Sequence, residues 1–296
     1  MTNQSRLTNR VALVTGASRG LGRAIALALG REGAAVAVAA RTEEVWDSRL
    51  PGTIHETAAA IEAAGGRAIA VPTDLAQEAD LDRLIDRVTE ELGRIDILVN
   101  NAAVTVGGRP PATGTEAKRP PAVVHQASAP GIEDFPAKAL RLHFAVNVFA
   151  PFRLMQLVLP EMVEMGRGAI VNISSDAAFK PGEGPYPSSR AGTPTLFAYG
   201  SSKAALHVLS QAAAIQFAPN GIAVNVLLPS LPIHTPGSDA LLDGFPVSAW
   251  STPERFAEAT VELALADPGT RTGQILFHED VLNPQLGRRG FLIDQI

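Results

Sequence analysis

A tyrosine and a lysine four positions apart, Tyr199 and Lys203, are the residues of this chain best suited to chemistry. On a helix, residues at that spacing share one face, so the Lys203 ammonium would stand beside the Tyr199 phenol. A positive charge at that range favours phenolate over phenol. An unperturbed phenol titrates near pH ~10 and is a poor acid or base at neutral pH, so a lysine neighbour is what proton transfer needs. Far upstream, Thr15-Gly16-Ala17-Ser18-Arg19-Gly20-Leu21-Gly22 separates an apolar run from a helical pattern. Its glycines allow the tight turn and close backbone approach that a pyrophosphate at a helix amino end requires. The two motifs together join a dinucleotide site to a proton donor.

The elements that must position these motifs alternate along the chain. Val11 to Thr15, Val36 to Ala40, Ala68 to Val71, Ile95 to Val99, Ala169 to Ile173 and Ile222 to Leu228 read as short buried strands. Helical patterns lie between them at Leu21 to Arg31, Thr57 to Ala64 closed by Gly65-Gly66, Leu81 to Leu92, about Leu140 to Met165, and Tyr199 to Phe217. Alternating strands and helices need crossover connections, which predicts a parallel sheet covered on both faces. The expected fold is α/β, a doubly wound, Rossmann-type sheet in a single domain spanning 1–296, with its ligand at the carboxyl ends of the strands. Two segments break the rhythm. Residues 104–131 carry Pro110-Pro111, Pro120-Pro121 and Pro130, and residues 179–194 lie just before Tyr199. Both are expected as insertions on the active-site rim, with a lid and a tolerated surface loop as open alternatives.

Several further residues fall in a fixed order. Asp74 follows the third strand, Asn100-Asn101-Ala102-Ala103 the fourth, Asn147 lies on a helix, Ser174-Ser175 follow the fifth strand, and Tyr199 and Lys203 come next. This series resembles the short-chain dehydrogenase/reductase family from about Val11 to Phe277. Leu50-Pro51-Gly52-Thr53-Ile54 and the run from Pro229 through Ile233-His234-Thr235 are similar to its hydroxysteroid-dehydrogenase-like branch. The resemblance implies hydride transfer between a nicotinamide cofactor and a small-molecule ketone or secondary alcohol. It implies that Ser175 hydrogen-bonds the substrate oxygen and that Tyr199 exchanges a proton with it. Lys203 would bind the nicotinamide ribose and lower the tyrosine pKa, and Asn147 would hold a water linking Lys203 to solvent. The cofactor contacts it implies are Gly16, Ser18, Arg19, Gly20, Leu21 and Gly22 in the turn, Arg41, Asp74 at the adenine with Leu75 beside it, Asn101, Ala102, Lys203, and Pro229, Ile233 and Thr235 after the sixth strand. Where the family usually has Pro-Gly, this chain has Pro229-Ser230, and serine tolerates unusual backbone angles less well.

Two choices stay open within the motifs. Ser174 rivals Ser175, because successive side chains at a strand end alternate faces. Tyr186 rivals Tyr199, because Tyr186-Pro187-Ser188-Ser189-Arg190 lies nearer the usual distance from Ser175 and also carries a basic residue four places on. Pro185, Pro187, Gly192 and Pro194 argue against a regular helix there, whereas Tyr199 opens an alanine-rich segment.

Charge decides which cofactor is expected. The end of the second strand holds Ala40 and then Arg41 in place of an acid that would bind the ribose hydroxyls, and Arg19 lies in the turn. Two arginines without the acid favour NADP(H) over NAD, the alternative being that both are solvated surface charges. The chain has 296 residues, no cysteine, 46% hydrophobic and 19% charged residues and a formal net charge of −5. Thiol catalysis and zinc thiolate sites are thereby excluded, and nothing electrostatic favours nucleic acid. The six histidines, His55, His125, His143, His207, His234 and His278, show no metal-ligand spacing, so no metal is expected. With a polar stretch from Met1 to Arg10 and no apolar run of membrane length, a cytoplasmic enzyme without a membrane partner is the expectation. Relatives suggest a homodimer or homotetramer through helix faces. A rival from another class is a catalytically idle cofactor-sensing protein, supported by the long insertions and Ser230.

Overall fold

In the computed structural model, which describes residues 5–104, 131–180, 182–186, 197–241 and 250–283, Val11–Thr15 forms the first strand, β1. Its side chains alternate between two cores, Ala12 and Val14 on one side and Val11 and Leu13 on the other. The other strands are β2 (Ala35–Ala40), β3 (Arg67–Pro72), β4 (Ile97–Asn100), β5 (Gly168–Ile173), β6 (Ile222–Leu228) and β7 (Ile275–Phe277). All pair in parallel, in the order β3-β2-β1-β4-β5-β6-β7. A strand buried on both faces needs apolar residues at every position, which is why these runs read as continuous.

The helices are α1 (Gly20–Arg31), α2 (Ile54–Ala63), α3 (Glu78–Glu91), α4 (Ala137–Phe144), α5 (Ala150–Met165), α6 (Phe197–Phe217), α7 (Pro236–Leu241), α8 (Pro253–Ala264) and α9 (His278–Leu282). Ile25 and Leu29 of α1, Ile54 and Ile61 of α2 and Phe256 of α8 cover one face. Leu81, Leu84 and Val88 of α3, Leu154, Val158 and Met162 of α5 and Ala214 of α6 cover the other. Burying each large aliphatic chain contributes roughly 1.5–3 kcal/mol, so these stripes hold the helices in place.

Register levels the strand ends that matter. Thr15 pairs with Ala39, Val14 with Val99, Asn100 with Asn172 and Ile173 with Leu227. The carboxyl ends of β1, β4, β5 and β6 therefore form one rim, and the order reverses between β1 and β4, where such sheets open a ligand crevice.

The structure departs from the sequence reading in several places. The second helix starts at Ile54, ahead of Thr57, because Thr53 and Glu56 form a capping box in which Glu56 N donates to Thr53 Oγ1 and Thr53 N to Glu56 Oε2, each at 3.0 Å. The helix expected from about Leu140 is α4 and α5 joined through a π-helical turn, Ala145–Phe149. β7 and the helices α7, α8 and α9 extend the fold beyond the last element read from sequence. The continuous helical stretch 137–165, in which an 18-residue window reaches a mean hydropathy of 1.4, is long and apolar enough to cross a membrane. Its buried residues from Leu154 to Met162 pack on the sheet. Most of the two expected insertions, 104–131 and 179–194, lies outside the described residues.

Candidate active site

The glycine turn is built by β1 and β4 together. Gly16 and Gly20 take φ of 66° and 55°, a region that side chains with a Cβ rarely adopt. A Cβ on Gly16 would lie 2.8 Å from the Ala102 Cα. Thr15 Oγ1 accepts from Asn101 N at 3.1 Å and from Ala102 N at 3.2 Å, while Asn101 Nδ2 donates to Thr15 O at 2.9 Å. Asn101 and Ala102 thus brace the turn. Gly52 supports it from outside, since its own Cβ would come within 2.5 Å of the Ser18 carbonyl. Leu21 anchors the start of α1 against the core.

The donor set at this turn fits the pyrophosphate of a dinucleotide cofactor. No side chain caps the amino end of α1, and its first turn holds no acid, so free amide groups and the helix dipole face the crevice. A Cβ on Gly20 would meet Thr235, 3.3 Å away, placing the loop after β6 across from the turn. Arg19 donates to Thr42 Oγ1 at 2.8 Å, just beyond β2. Burial lowers the pKa of Arg19, the charge of Asp47 opposes this, and that of Arg41 adds to it, so both arginines act near the end of β2, where residue 40 is an alanine. Asp74 shapes a turn after β3, accepting from Ala76 N at 3.1 Å, and Leu75 packs beneath it.

The chemical end of the site lies on the same rim. Ser175 leaves β5 in extended conformation and caps a short 3-10 turn, Asp176–Phe179, accepting from Ala177 N at 3.2 Å. Gly200, directly after Tyr199, admits this turn against α6, because a Cβ there would sit 2.5 Å from the Ala177 carbonyl. That close approach sets the Ser175 side chain, whose Oγ donates to Asp176 Oδ1 at 3.2 Å, near enough to the Tyr199 phenol to act on its pKa. Lys203, 2% exposed, donates from Nζ to the Ile173 carbonyl at 2.7 Å and lies 5.7 Å from the centroid of the Tyr199 ring. Asn147, in the π-helical turn, accepts from Val104 N at 3.0 Å and donates to Ser202 Oγ at 3.0 Å. It ties the segment after β4 to α6. A π turn at this position matches the tendency of such turns to occur at functional sites.

The rival residues differ in their surroundings. Ser174 turns into the interior and pairs with His207, whose Nε2 lies 2.7 Å from its Oγ, whereas Ser175 is the serine whose side chain acts on the Tyr199 phenol. Tyr186 is exposed, and its phenol donates to the Gly182 carbonyl at 2.6 Å. Its counterpart Arg190 lies outside the described residues.

One electrostatic expectation is reversed. The Tyr199 phenol is pushed up to about 12, mainly by burial, with the Ser175 side chain opposing and the charge of Asp176 adding to the rise. Burial likewise lowers Lys203 to about 7. The lysine spends a hydrogen bond on Ile173 and is itself only partly charged near neutrality, so it does not offset the cost of burying a phenolate.

After β6, Ser230 occupies ordinary backbone space, and its side chain has structural work. Ser230 N donates to His278 Nδ1 at 2.9 Å, and Glu279 N donates to Ser230 Oγ at 3.2 Å. His278 Nε2 lies 3.1 Å from Ser251 Oγ, and Ser251 bridges to Ile233. Pro229, Ile233 and Thr235 are thereby held on the rim. Sequence reading missed Thr15, Gly200, His207 and His278. Only Thr15, adjoining Gly16, carried a signal in its position.

This fold and site define an oxidoreductase class. The short chain dehydrogenase family model matches residues 10–241, and the chain belongs to that family. It is 33% identical over 279 residues to 7alpha-hydroxysteroid dehydrogenase of Clostridium sardiniense, covering 91% of this chain and 92% of that one. It is 29% identical over 286 residues to hydroxysteroid dehydrogenase-like protein 2 of Xenopus tropicalis, spanning 95% of this chain but 60% of that longer relative. Among solved structures, a 7 alpha-hydroxysteroid dehydrogenase complexed with NADH and 7-oxo glycochenodeoxycholic acid matches with TM-score 0.72 and 28% identity, covering 94% of this chain and 95% of that one. A gluconate 5-dehydrogenase from Burkholderia cenocepacia in complex with NADP and tartrate matches with TM-score 0.69 and 25% identity, covering 93% and 95%.

Proposed function

We propose that this chain transfers hydride between NADP(H) and a ketone or secondary alcohol, with Tyr199 as proton donor and acceptor. The observation that carries the reading is the meeting of Ser175, Tyr199 and Lys203 on the rim that also bears the uncapped amino end of α1. When bound, the nicotinamide supplies or accepts the hydride. Gly16, Gly20, Gly22 and Asn101 would hold its pyrophosphate side and Lys203 its ribose.

The protein's own part is proton handling. A substrate oxygen between Ser175 and Tyr199 would meet the Tyr199 phenol and, once the Ser175 hydroxyl turns from Asp176 Oδ1, a second donor, both where negative charge develops, so the transition state gains more than the ground state. A phenol held near 12 stays protonated at neutral pH and is available to an alkoxide-like oxygen. Lys203, held near 7, can keep or release a proton at Nζ around physiological pH.

Arg19 and Arg41, with no acid at Ala40, support the phosphorylated cofactor. A second reading, preference for NAD, draws on Asp47, whose charge acts on Arg19. Self-association as a homodimer or homotetramer is supported by Phe149 and Phe152 and by Val208 and Ile215, all exposed on helical segments. A screen of ketones and secondary alcohols, steroid ketones included, read by NADPH absorbance, tests the function. NADPH-dependent turnover is expected, and tight NADPH binding without turnover of any member would favour the idle sensor.

A further inference from the structure

Tyr199, Lys203 and His207 succeed one another at four-residue intervals, so α6 presents them along a single face. That face meets the dipeptide after β5 twice. Gly200, beside Tyr199, packs on the Ala177 carbonyl of the turn that Ser175 caps, with the Ser175 side chain acting on the Tyr199 phenol, and two turns further along His207 Nε2 lies 2.7 Å from Ser174 Oγ. The second contact is in the interior, with Ser174 4% and His207 5% exposed. Ser174 is also fixed from β6, its N–H donating to the Leu227 carbonyl at 2.9 Å. The Phe179 ring, 5.3 Å from the imidazole, covers His207 from the end of the 3-10 turn that Ser175 caps.

A buried hydroxyl without a partner is costly, so the imidazole and Ser174 hold each other whichever carries the shared proton. Burial, and then the charge of Lys203, push His207 down to about 4. The ring is therefore neutral at physiological pH and adds no second positive charge beside Lys203.

We propose that His207 is a positioning residue for the hydride-transfer reaction: by holding Ser174 to α6 it sets the adjacent Ser175 so that its hydroxyl meets Tyr199 and the substrate oxygen. The inference rests on the reading of Ser175 and Tyr199 as the catalytic pair. It assigns a role to a residue that would otherwise be a satisfied core histidine.

The chain has two tyrosines, so Tyr186→Phe leaves Tyr199 as the only tyrosine signal in the full-length protein. In that background, the tyrosine ring carbon bearing the hydroxyl, labelled with carbon-13, reports the phenol's hydrogen bond by NMR without any substrate. Ser175→Ala and His207→Leu are expected to move this resonance in the same direction. His207→Gln, which returns an amide to Ser174, should restore it, and adding His207→Leu to Ser175→Ala should move it no further. Ser174→Ala provides the same test with a smaller change in packing. With a ketone found by the screen, His207→Leu should lower kcat about tenfold and leave NADPH affinity unchanged, in line with the loss of one buried hydrogen bond. A resonance that moves in Ser175→Ala but stays put in both His207→Leu and Ser174→Ala overturns the proposal. So does a kcat loss of equal size with and without Ser175. If Ser175→Ala itself leaves the resonance unmoved, it is the catalytic pairing that fails.

Discussion

Lys203 stands one helical turn from Tyr199, yet its ammonium donates to the backbone carbonyl of Ile173 at 2.7 Å. The lysine is thus pinned to the last residue of β5, two positions before the serine whose side chain acts on the phenol's pKa. Helix and strand are joined at the point where the chemistry is proposed, and both titrating groups bear the mark of burial. One is held near 12 and the other near 7.

If Tyr199 donates the proton, Tyr199→Phe removes the hydroxyl with little change in packing. Turnover should fall by the ~10² to 10⁴-fold that general acid-base catalysis contributes, with NADPH affinity nearly unchanged. Tyr186→Phe should leave kcat alone, because its phenol is exposed and bonded to Gly182. Steady-state kinetics of both variants check this, and full activity in Tyr199→Phe would overturn the assignment.

NADPH should bind more tightly than NADH. Arg41→Asp replaces an attractive charge with a repulsive one, and about a tenfold loss of NADPH affinity is expected while NADH binding holds or improves. Fluorescence titration with each cofactor measures the gap. Equal affinities in the unmodified protein would sink the prediction.

Lys203 also makes a prediction about stability and pH. Its folded pKa, about 7, lies below the ordinary 10.5, so between those values the unfolded chain binds more protons and stability rises with pH. Below pH 7 the full cost of burying the ammonium is present. Lys203→Met abolishes that cost along with the bond to Ile173. The melting temperature of the variant relative to the parent should be highest near pH 6 and fall steadily towards pH 10. A difference that does not change with pH would refute it.

A further expectation concerns reaction direction. With the phenol held near 12, reduction keeps its proton donor throughout the neutral and alkaline range, while the phenolate needed for alcohol oxidation becomes more abundant as pH rises. Oxidation should therefore accelerate with pH from neutral to about pH 10, and reduction should not. Initial rates in both directions, with one ketone and its alcohol, check the asymmetry.

Much of the fold is legible in the sequence because β1, β2, β4, β5 and β6 are apolar at nearly every position, the signature of strands covered on both faces. β7 escapes because it has three residues, two of them only half-buried. The π-helical turn escapes because Ala145–Phe149 continues the composition of its neighbours, and only the backbone shows the extra residue per turn. In the site, motif order points to Ser175, Tyr199 and Lys203, but that Ser174 is engaged by His207 is not legible there, because the two lie far apart in sequence. The direction of the Tyr199 shift is misread from sequence because a nearby lysine is visible there and the depth of burial is not.

The imidazole of His278 gives the carboxyl-terminal part of the fold an unexpected duty. It links Ser230 and Ser251, and through Ser251 it steadies Ile233 beside the cofactor crevice. The first residue of α9, set in place by the three-residue strand at the sheet's edge, thus works as a latch, and the loop it fastens is the one that reaches Thr235 across to Gly20. Damage near residue 278 would be felt at the nucleotide before it was felt in the sheet, so a binding measurement would sense it sooner than a melting curve.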